Sequence, residues 1–493
     1  KVIMRIKFSL VFFIAIPFLL TAQHFGESKH SMNKNTSNMD VLKYWKTNSP
    51  KKAEIYQSAL NILSASKEAS YSDLLLNEKY LELCSKLELH LLGGPILGEI
   101  KEHGISIWLR TSIPSKIQVS LSSENKIFMS ETSYTKIEND LSGLLKIDGL
   151  TDDTTYSYKV IINDSIEVSD DNYFFKTLPN KDEIKTTRIV FGSCLHRWGL
   201  GNSQLFSAIK KRKPSAMLLL GDIAVQDRDN HLGMHRADYL LRDFQTAWSD
   251  FACNVPIYAS WDDHDYFNND ESGVPNGYID HDRDNVRQIF KNSWNNPSYG
   301  LNDEGIYFKS KIGLCEVVMT DNRYFGSEEK SSFLGKKQME WLKMQIADCK
   351  SPFLILSCGS MWSDFVSNGK DSWGVSDSKG REDIFKLIED RNISGVLLIS
   401  GDRHGARGFT IQRESGFEFY EFEVASLGAR IGPPKTKPEW TNQLYGIDGT
   451  FAFGEFTFKN TTDEKHVDFR LIKEDGNILY KKRLSLNDLT PVE

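Results

Sequence analysis

The chain has 493 residues, a formal charge of −7, and 40% apolar and 12% aromatic residues. That length is too great for one ordinary domain and suits two or three, with ample material for packed cores. The acidic balance and the lack of a basic stripe exclude a nucleic-acid groove.

The first stretch reads as a delivery segment. Met4 is the expected start, followed by Arg5 and Lys7, the apolar run FSLVFFIAIPFLL, and small residues at Thr21 and Ala22. A positive start, a short apolar run and a small-residue cleavage point make a signal peptide over 1–22. A membrane anchor is the competing reading, but the run is short for a span and contains Pro17. No later segment is long and apolar enough to cross a bilayer. The mature chain is therefore expected to be exported, to the periplasm or outside the cell, without a membrane span.

Residues 23–38 are small and polar, which predicts disorder. Residues 40–90 carry apolar side chains at helical spacing in VLKYW, AEIYQSALNILSASK and YSDLLLNEKYLELCSKLEL. They read as a helical cover without chemistry. Over 91–180 the period changes. SIWLRTS and KIQVSLS alternate as strands around Pro114, and IDGLTDDTTYSYKVIIND resembles the tyrosine corner of a fibronectin-like sandwich. A small supporting β-sandwich is expected.

From 186 to 485 strands and helices alternate, as in an α/β domain with a central sheet packed by helices. The helix candidates are NSQLFSAIKKR, MHRADYLLRDFQTAW, RDNVRQIFKNSW, GKKQMEWLKMQIADC and REDIFKLIEDR. Four apolar runs end abruptly in metal-ligand residue types. RIVFGSCLH leaves Cys194 and His196, and LLLGD leaves Asp222. PIYASWDDHDYFNND leaves Asp262, Asp263, His264 and Asn269, and GVLLISGDRH leaves Asp402 and His404. Unalternating apolar runs read as strands buried on both faces, and ligands of such sheets bind beyond the carboxyl ends of the strands. Converging buried carboxylates and thiolates need cations. A carboxylate shared by two cations is the usual core of a two-metal hydrolytic site, and Asp222 is the best candidate for it.

The six cysteines are widely spread and do not read as a disulfide framework. Cys253, Cys315 and Cys358 are expected as small buried hydrophobes; Cys194, at a strand end near a histidine, is set apart.

GSC, LGD, WDDHD with a following Asn, and SGDRH, in this order, resemble the PhoD-like alkaline phosphatases, calcineurin-like metallophosphoesterases related to purple acid phosphatases. GGPILGE with SIWLRT, and DNRY at 321–324, extend the likeness over roughly 92–460. The resemblance implies a four-layer αββα core and a dinuclear site that hydrolyses phosphate esters. It implies that Cys194 supplies a ligand and Asp222 bridges. Asp263 and Asn269 serve the second metal or the phosphate, His264 contacts substrate, and Asp402 and His404 are ligands. One departure stands out: the family's usual tyrosine ligand, three residues after the bridging Asp, is Val225 here. Cys194-x-His196 offers a compensating donor, with a surface histidine as the bland alternative.

Two unlike metal ions are expected. Cys194, His196, Asp222 and His404 suit iron or zinc, and Asp222, Asp263, Asn269 and Asp402 suit Ca²⁺, Mn²⁺ or Mg²⁺. A bridging hydroxide would attack phosphorus, and His264, near-neutral, would protonate the leaving oxygen or hold the phosphate. Asp265 would orient His264. Arg323 and Arg403 would take phosphate oxygens, with structural ion pairs an equal alternative. The expected protein is a monomer acting on phosphate mono- or diesters. Lipid, cell-wall or nucleotide diesters are the runner-up substrates, and a metal-stabilised binding protein without turnover is the minor alternative.

The leader reading gives a first prediction: N-terminal sequencing of the secreted protein should start near Gln23. A mature product that retains residues 4–20 would refute cleavage.

Overall fold

The computed structural model describes residues 32–491, apart from 47, 125, 327–331, 366–371, 430, 433–434 and 462–463. The expected leader lies outside the described residues. Among those described, no helix is long and apolar enough to cross a membrane.

Two sheets form the heart of the larger domain. The first has six strands in the spatial order Ile257–Ser260, Ala216–Leu220, Thr186–Gly192, Ala452–Asn460, Lys465–Lys473 and Ile478–Ser485. The second has seven: Phe308–Ile312, Cys315–Met319, Phe353–Ser357, Val396–Ser400, Glu418–Ala425, Gly405–Gln412 and Gln443–Ile447. Three neighbouring strands of the first sheet and four of the second run parallel. Ala216–Leu220, Ile257–Ser260, Phe353–Ser357 and Val396–Ser400 are buried along their whole length, as apolar runs covered on both faces are. In Thr186–Gly192, Ile189 and Phe191 enter the core between the sheets, where they join Leu218, Val317, Ile355 and Phe422. Val190, on the other face, packs with Leu205, Ile209, Trp248 and Phe290 from flanking helices. Across the second sheet Leu354, Leu356 and Leu398 meet Leu342, Ile346, Phe385 and Ile388 of the outer helices Gly335–Ala347 and Ser378–Asp390. The result is helix, sheet, sheet, helix: the four-layer αββα core that the resemblance implied.

Several boundaries differ from expectation, each for a local reason. MHRADYLLRDFQTAW is two helices, Leu232–Phe244 and Thr246–Ala252, because Gln245 turns to extended backbone at φ −73° and ψ 116°. The Asn48 side chain holds that break, bonding Gln245 Oε1 at 2.8 Å and the Thr246 N–H at 3.0 Å. IYFKSKIGLCEVVMTD, apolar enough at both ends to read as a single strand, is a hairpin about Gly313. The strands Lys465–Lys473 and Ile478–Ser485 were not foreseen. Their pattern is interrupted by charges that pair across the sheet, Arg470 with Glu455 at 3.2 Å and Arg483 with Asp468 at 2.7 Å.

The β-sandwich places Leu91–Gly98, Gly104–Thr111 and Ser142–Asp148 in one sheet, with a second sheet built around Lys116–Ser123 and Thr155–Ile162. Tyr156 Oη accepts the Thr151 N–H at 2.9 Å, the hydrogen bond of a tyrosine corner. Polar groups fasten the sandwich to the αββα domain. Trp108 Nε1 donates to Asn292 O at 3.1 Å, and Tyr158 Oη donates to Cys253 O at 2.6 Å. Arg110 meets Asp243 at 2.9 Å, and Asp243 also takes Arg242 at 2.6 Å, all three side chains being essentially without solvent contact.

Four helices, Asn38–Tyr44, Pro50–Leu63, Tyr71–Leu75 and Glu78–Lys86, form the N-terminal cover. Their apolar faces pack on Ala237, Leu240, Leu241 and Phe244 of the Leu232–Phe244 helix. The disorder expected up to residue 38 does not reach Lys34, whose carbonyl accepts from Arg197 at 2.8 Å.

Removing one partner of a buried ion pair leaves an uncompensated charge and costs about 3–5 kcal/mol. Asp243→Asn is therefore expected to lower the denaturant midpoint clearly, because it strands Arg110 and Arg242 together. An unchanged midpoint would show that the two guanidiniums find other partners.

Candidate metal centre

The site lies where strands Thr186–Gly192, Ala216–Leu220, Ile257–Ser260 and Val396–Ser400 end. Both sheets contribute, so side chains from two layers converge. The backbone turns sharply there: Cys194, His196, Asp222, Asp402 and His404 all have positive φ, between 41° and 72°. Such left-handed backbone costs free energy outside glycine and persists only where the surroundings enforce it. Gly221, at φ +105°, allows the tightest approach, since a Cβ there would lie 2.5 Å from Asp262 Cβ. Backbone bonds tie the turns together. The Cys194 N–H donates to Gly221 O at 3.1 Å, and the His196 N–H to Asp222 O at 2.8 Å.

Three groups of donor atoms result, each drawn within 4.8 Å. Cys194, His196, Asp222 and His404 form the first; Asp222, Asp263 and His264 the second; Asp262, Asp263 and Asp402 the third. In the first, Cys194 Sγ stands 3.5 Å from Asp222 Oδ2, and the Nε2 atoms of His196 and His404 face each other at 3.4 Å. Asp222 belongs to two groups and Asp263 to two.

The electrostatics fit cations. Burial pushes the Cys194 thiol well up, and the Asp222 carboxylate adds to it. Burial also raises Asp222 strongly; His264 opposes this, but Asp263, Asp262 and Asp265 reinforce it. His196 is held well below its usual range by burial and by His404 and His264, and His404 falls to about 4 through burial and His264. Asp222 Oδ1 is buried without a hydrogen-bond partner. Neutral imidazoles, a thiol beside carboxylates and an orphaned carboxylate oxygen are the makings of a metal site.

Other expected residues fall differently. Asn269 is exposed; what its segment brings to Asp263 is the Asp270 N–H, 2.7 Å from Oδ2. Asp262 joins the acidic group in its stead. Asp265 does not orient His264. Its carboxylate instead accepts the N–H groups of Ile223, Ala224 and Val225 at 3.1 Å each and so clamps the turn after Asp222. The orienting carboxylate is Asp227, whose Oδ1 lies 2.5 Å from His264 Nδ1. Nor is His264 near-neutral: burial lowers it, but Asp222, Asp263 and Asp227 together outweigh burial and hold it at about 11. Arg323 donates from Nε to Asp262 Oδ1 at 2.5 Å, and Arg403 lies 3.4 Å from Asp402 Oδ2. Both are buried and take the ion-pair geometry.

Two contributors escaped the sequence reading. Asp227 is signalled only by an acid five places after Asp222. Asn322, within DNRY, donates to Asp262 Oδ1 at 3.3 Å and keeps its own Oδ1 buried without a partner.

Residues 189–469 match the family model of the PhoD-like phosphatases, more than half of the chain. The chain belongs to the PhoD-like phosphatase family. Residues 88–177, the sandwich, match a domain of unknown function, DUF7800. The solved structure of PhoD is similar with a TM-score of 0.62 at 17% identity, over 80% of this chain and 88% of that one. Purple acid phosphatase PPD1 from yellow lupin (Lupinus luteus) seeds gives 0.61 at 14%, over 80% and 75%. At such identities these two likenesses speak to the fold. No curated protein matches the chain. As a PhoD-like phosphatase with clusters of metal-ligand side chains, it is a metal-dependent phosphoric ester hydrolase.

The Asp227–His264 contact yields a prediction. Asp227→Asn should lower turnover about 10²-fold, the lower end of what positioned acid–base groups supply, with metal content retained. Turnover equal to that of the unaltered enzyme would remove Asp227 from the machinery.

Proposed function

We propose that the chain is an exported phosphatase of alkaline type whose site holds two metal ions sharing Asp222. Cys194, His196, Asp222 and His404 would hold one ion, and a thiolate with imidazoles suits iron or zinc. Asp222 and Asp263, with Asp262 and Asp402, would hold the other through oxygen, which suits Ca²⁺, Mn²⁺ or Mg²⁺. The observation that carries this reading is the double membership of Asp222. Its carboxylate lies in the Cys/His group and in the group with Asp263, and its Oδ1 has no other buried partner. The charged start and apolar run over residues 5–20 support export.

When bound, the metal pair supplies a nucleophile at neutral pH and draws charge from the phosphoryl oxygens. The protein's own residues position and move protons. Asp227 fixes Nδ1 of His264 and leaves Nε2 for the substrate. With cations on Asp222 and Asp263 the carboxylate support of His264 weakens, and its pKa returns toward the range where proton transfer to a leaving oxygen is efficient. Arg323 and Arg403, beside Asp262 and Asp402, limit repulsion among the carboxylates before phosphate arrives.

Asp222→Asn tests the reading. Elemental analysis of the purified variant should show both metals depleted, and hydrolysis of p-nitrophenyl phosphate should be abolished. Full retention of both metals would overturn the shared-ligand assignment.

A further inference from the structure

We propose that the N-terminal arm, Lys34 to Trp45, is a working part of the metal centre: it holds the imidazole of His196 in place through Arg197 and Trp198. The proposal rests on the reading of His196 as a ligand. The arm lies outside both family matches, which cover 88–177 and 189–469.

A metal-ligating histidine is normally oriented by a second contact to its ring, most often a hydrogen bond from the other nitrogen. Here the Gln226 side chain acts on the ring, and its face is covered by a stacked indole. The Trp198 indole lies on His196 with centroids 4.5 Å apart and planes 24° from parallel. His404 and His264 meet the same imidazole edge-on, at 5.2 and 5.7 Å. Trp198 thus sets the plane in which His196 approaches Cys194 and Asp222.

The arm in turn sets Trp198. Trp45 Nε1 donates to Trp198 O at 2.9 Å. Its indole lies against the backbone at Gly201, where a Cβ would come within 2.1 Å of the ring, so residue 201 must be glycine for the contact to form. Trp198 belongs to the same apolar cluster as Val41 and Leu42 of the first helix. Between Trp198 and His196 stands Arg197, almost wholly buried. It donates to Asn38 Oδ1 at 2.5 Å and to Lys34 O at 2.8 Å. Asn38 is anchored by its own amide, 2.7 Å from Tyr56 Oη and from Asp238 Oδ1. His196 has positive φ, a strained conformation that needs such over-determination. Asn38 and Trp45 are therefore positioning residues for His196.

The test is a Co²⁺ titration of the apo-protein in five forms: unaltered, Asn38→Ala, Trp45→Phe, and His196→Ala with and without Asn38→Ala. The thiolate–Co²⁺ charge-transfer band reports the Cys194 site, and calorimetry resolves the oxygen-rich site. Asn38→Ala and Trp45→Phe should each weaken the Cys194 site about tenfold, the lower range for loss of a supporting contact, and leave the oxygen-rich site unchanged. Asn38→Ala should add nothing in the His196→Ala background, since coupled residues are not additive. Equal weakening of both sites, or a full additive loss in that background, would mean that the arm is only structural and would overturn the proposal. If His196→Ala itself leaves the Cys194 site at full affinity, the ligand reading fails instead, and the proposal with it. Trp45→Phe keeps an aromatic ring in the arm and so separates loss of the bond from loss of folding.

Discussion

The structure is organised around an electrostatic conflict. Asp222, Asp262 and Asp263 are all nearly without solvent contact, and Asp402 joins Asp262 and Asp263 in one acidic group. Like charges so placed raise one another's pKa, and burial adds to the effect, as it does at Asp222. Arg323 relieves part of the strain: with His264 and the Asp270 N–H it outweighs burial and keeps Asp263 below its usual range. In the Cys194, His196, Asp222 and His404 group a thiol, two neutral imidazoles and an orphaned carboxylate oxygen stand together, a set that could hold a cation.

The fold exists to hold that conflict together. A carboxylate at the end of a lone strand would swing into water. Here the strand ends come from two sheets locked by a shared apolar core, and turns rich in positive φ aim the side chains inward. The Asp265 clamp illustrates the cost and the remedy. A buried carboxylate, raised to about 6 by burial against the pull of three backbone amides, is spent on fixing the turn that carries Asp222. Rigidity of this kind is what a site needs when its ligands repel one another.

Much of this was legible in the sequence because burial on both faces leaves an unmistakable mark. AMLLL and VLLIS are strands with every residue buried, and the abrupt Asp after each is where the chemistry sits. The charged strands near the C-terminus were not legible, since pairs such as Arg470 with Glu455 hide the apolar period. The choice between Asp227 and Asp265 as partner of His264 was not legible either. Both are acids near it in the fold, and one follows it directly in the sequence. Which one reaches the ring depends on where the 223–225 amides point, a matter of turn geometry that residue types do not encode.

Val225 shows how local packing closes one option and leaves another. Its side chain is fully buried in the core beneath the first sheet, with Leu195, Ile223 and Tyr266. Its N–H is committed to Asp265, so the turn is not free to rotate a donor from this position toward the metal group. Tyr266 offers no phenolate either, because its hydroxyl donates to the Gly273 carbonyl. On the proposed reading, the donor opposite His404 must then come from the loop after the first strand. That loop supplies His196 at a strained φ and places Trp198 against its ring. A strained loop on the rim of a sheet needs an outside brace, and the chain's own N-terminal segment, bonded to Arg197 and Trp198, is the element that reaches it.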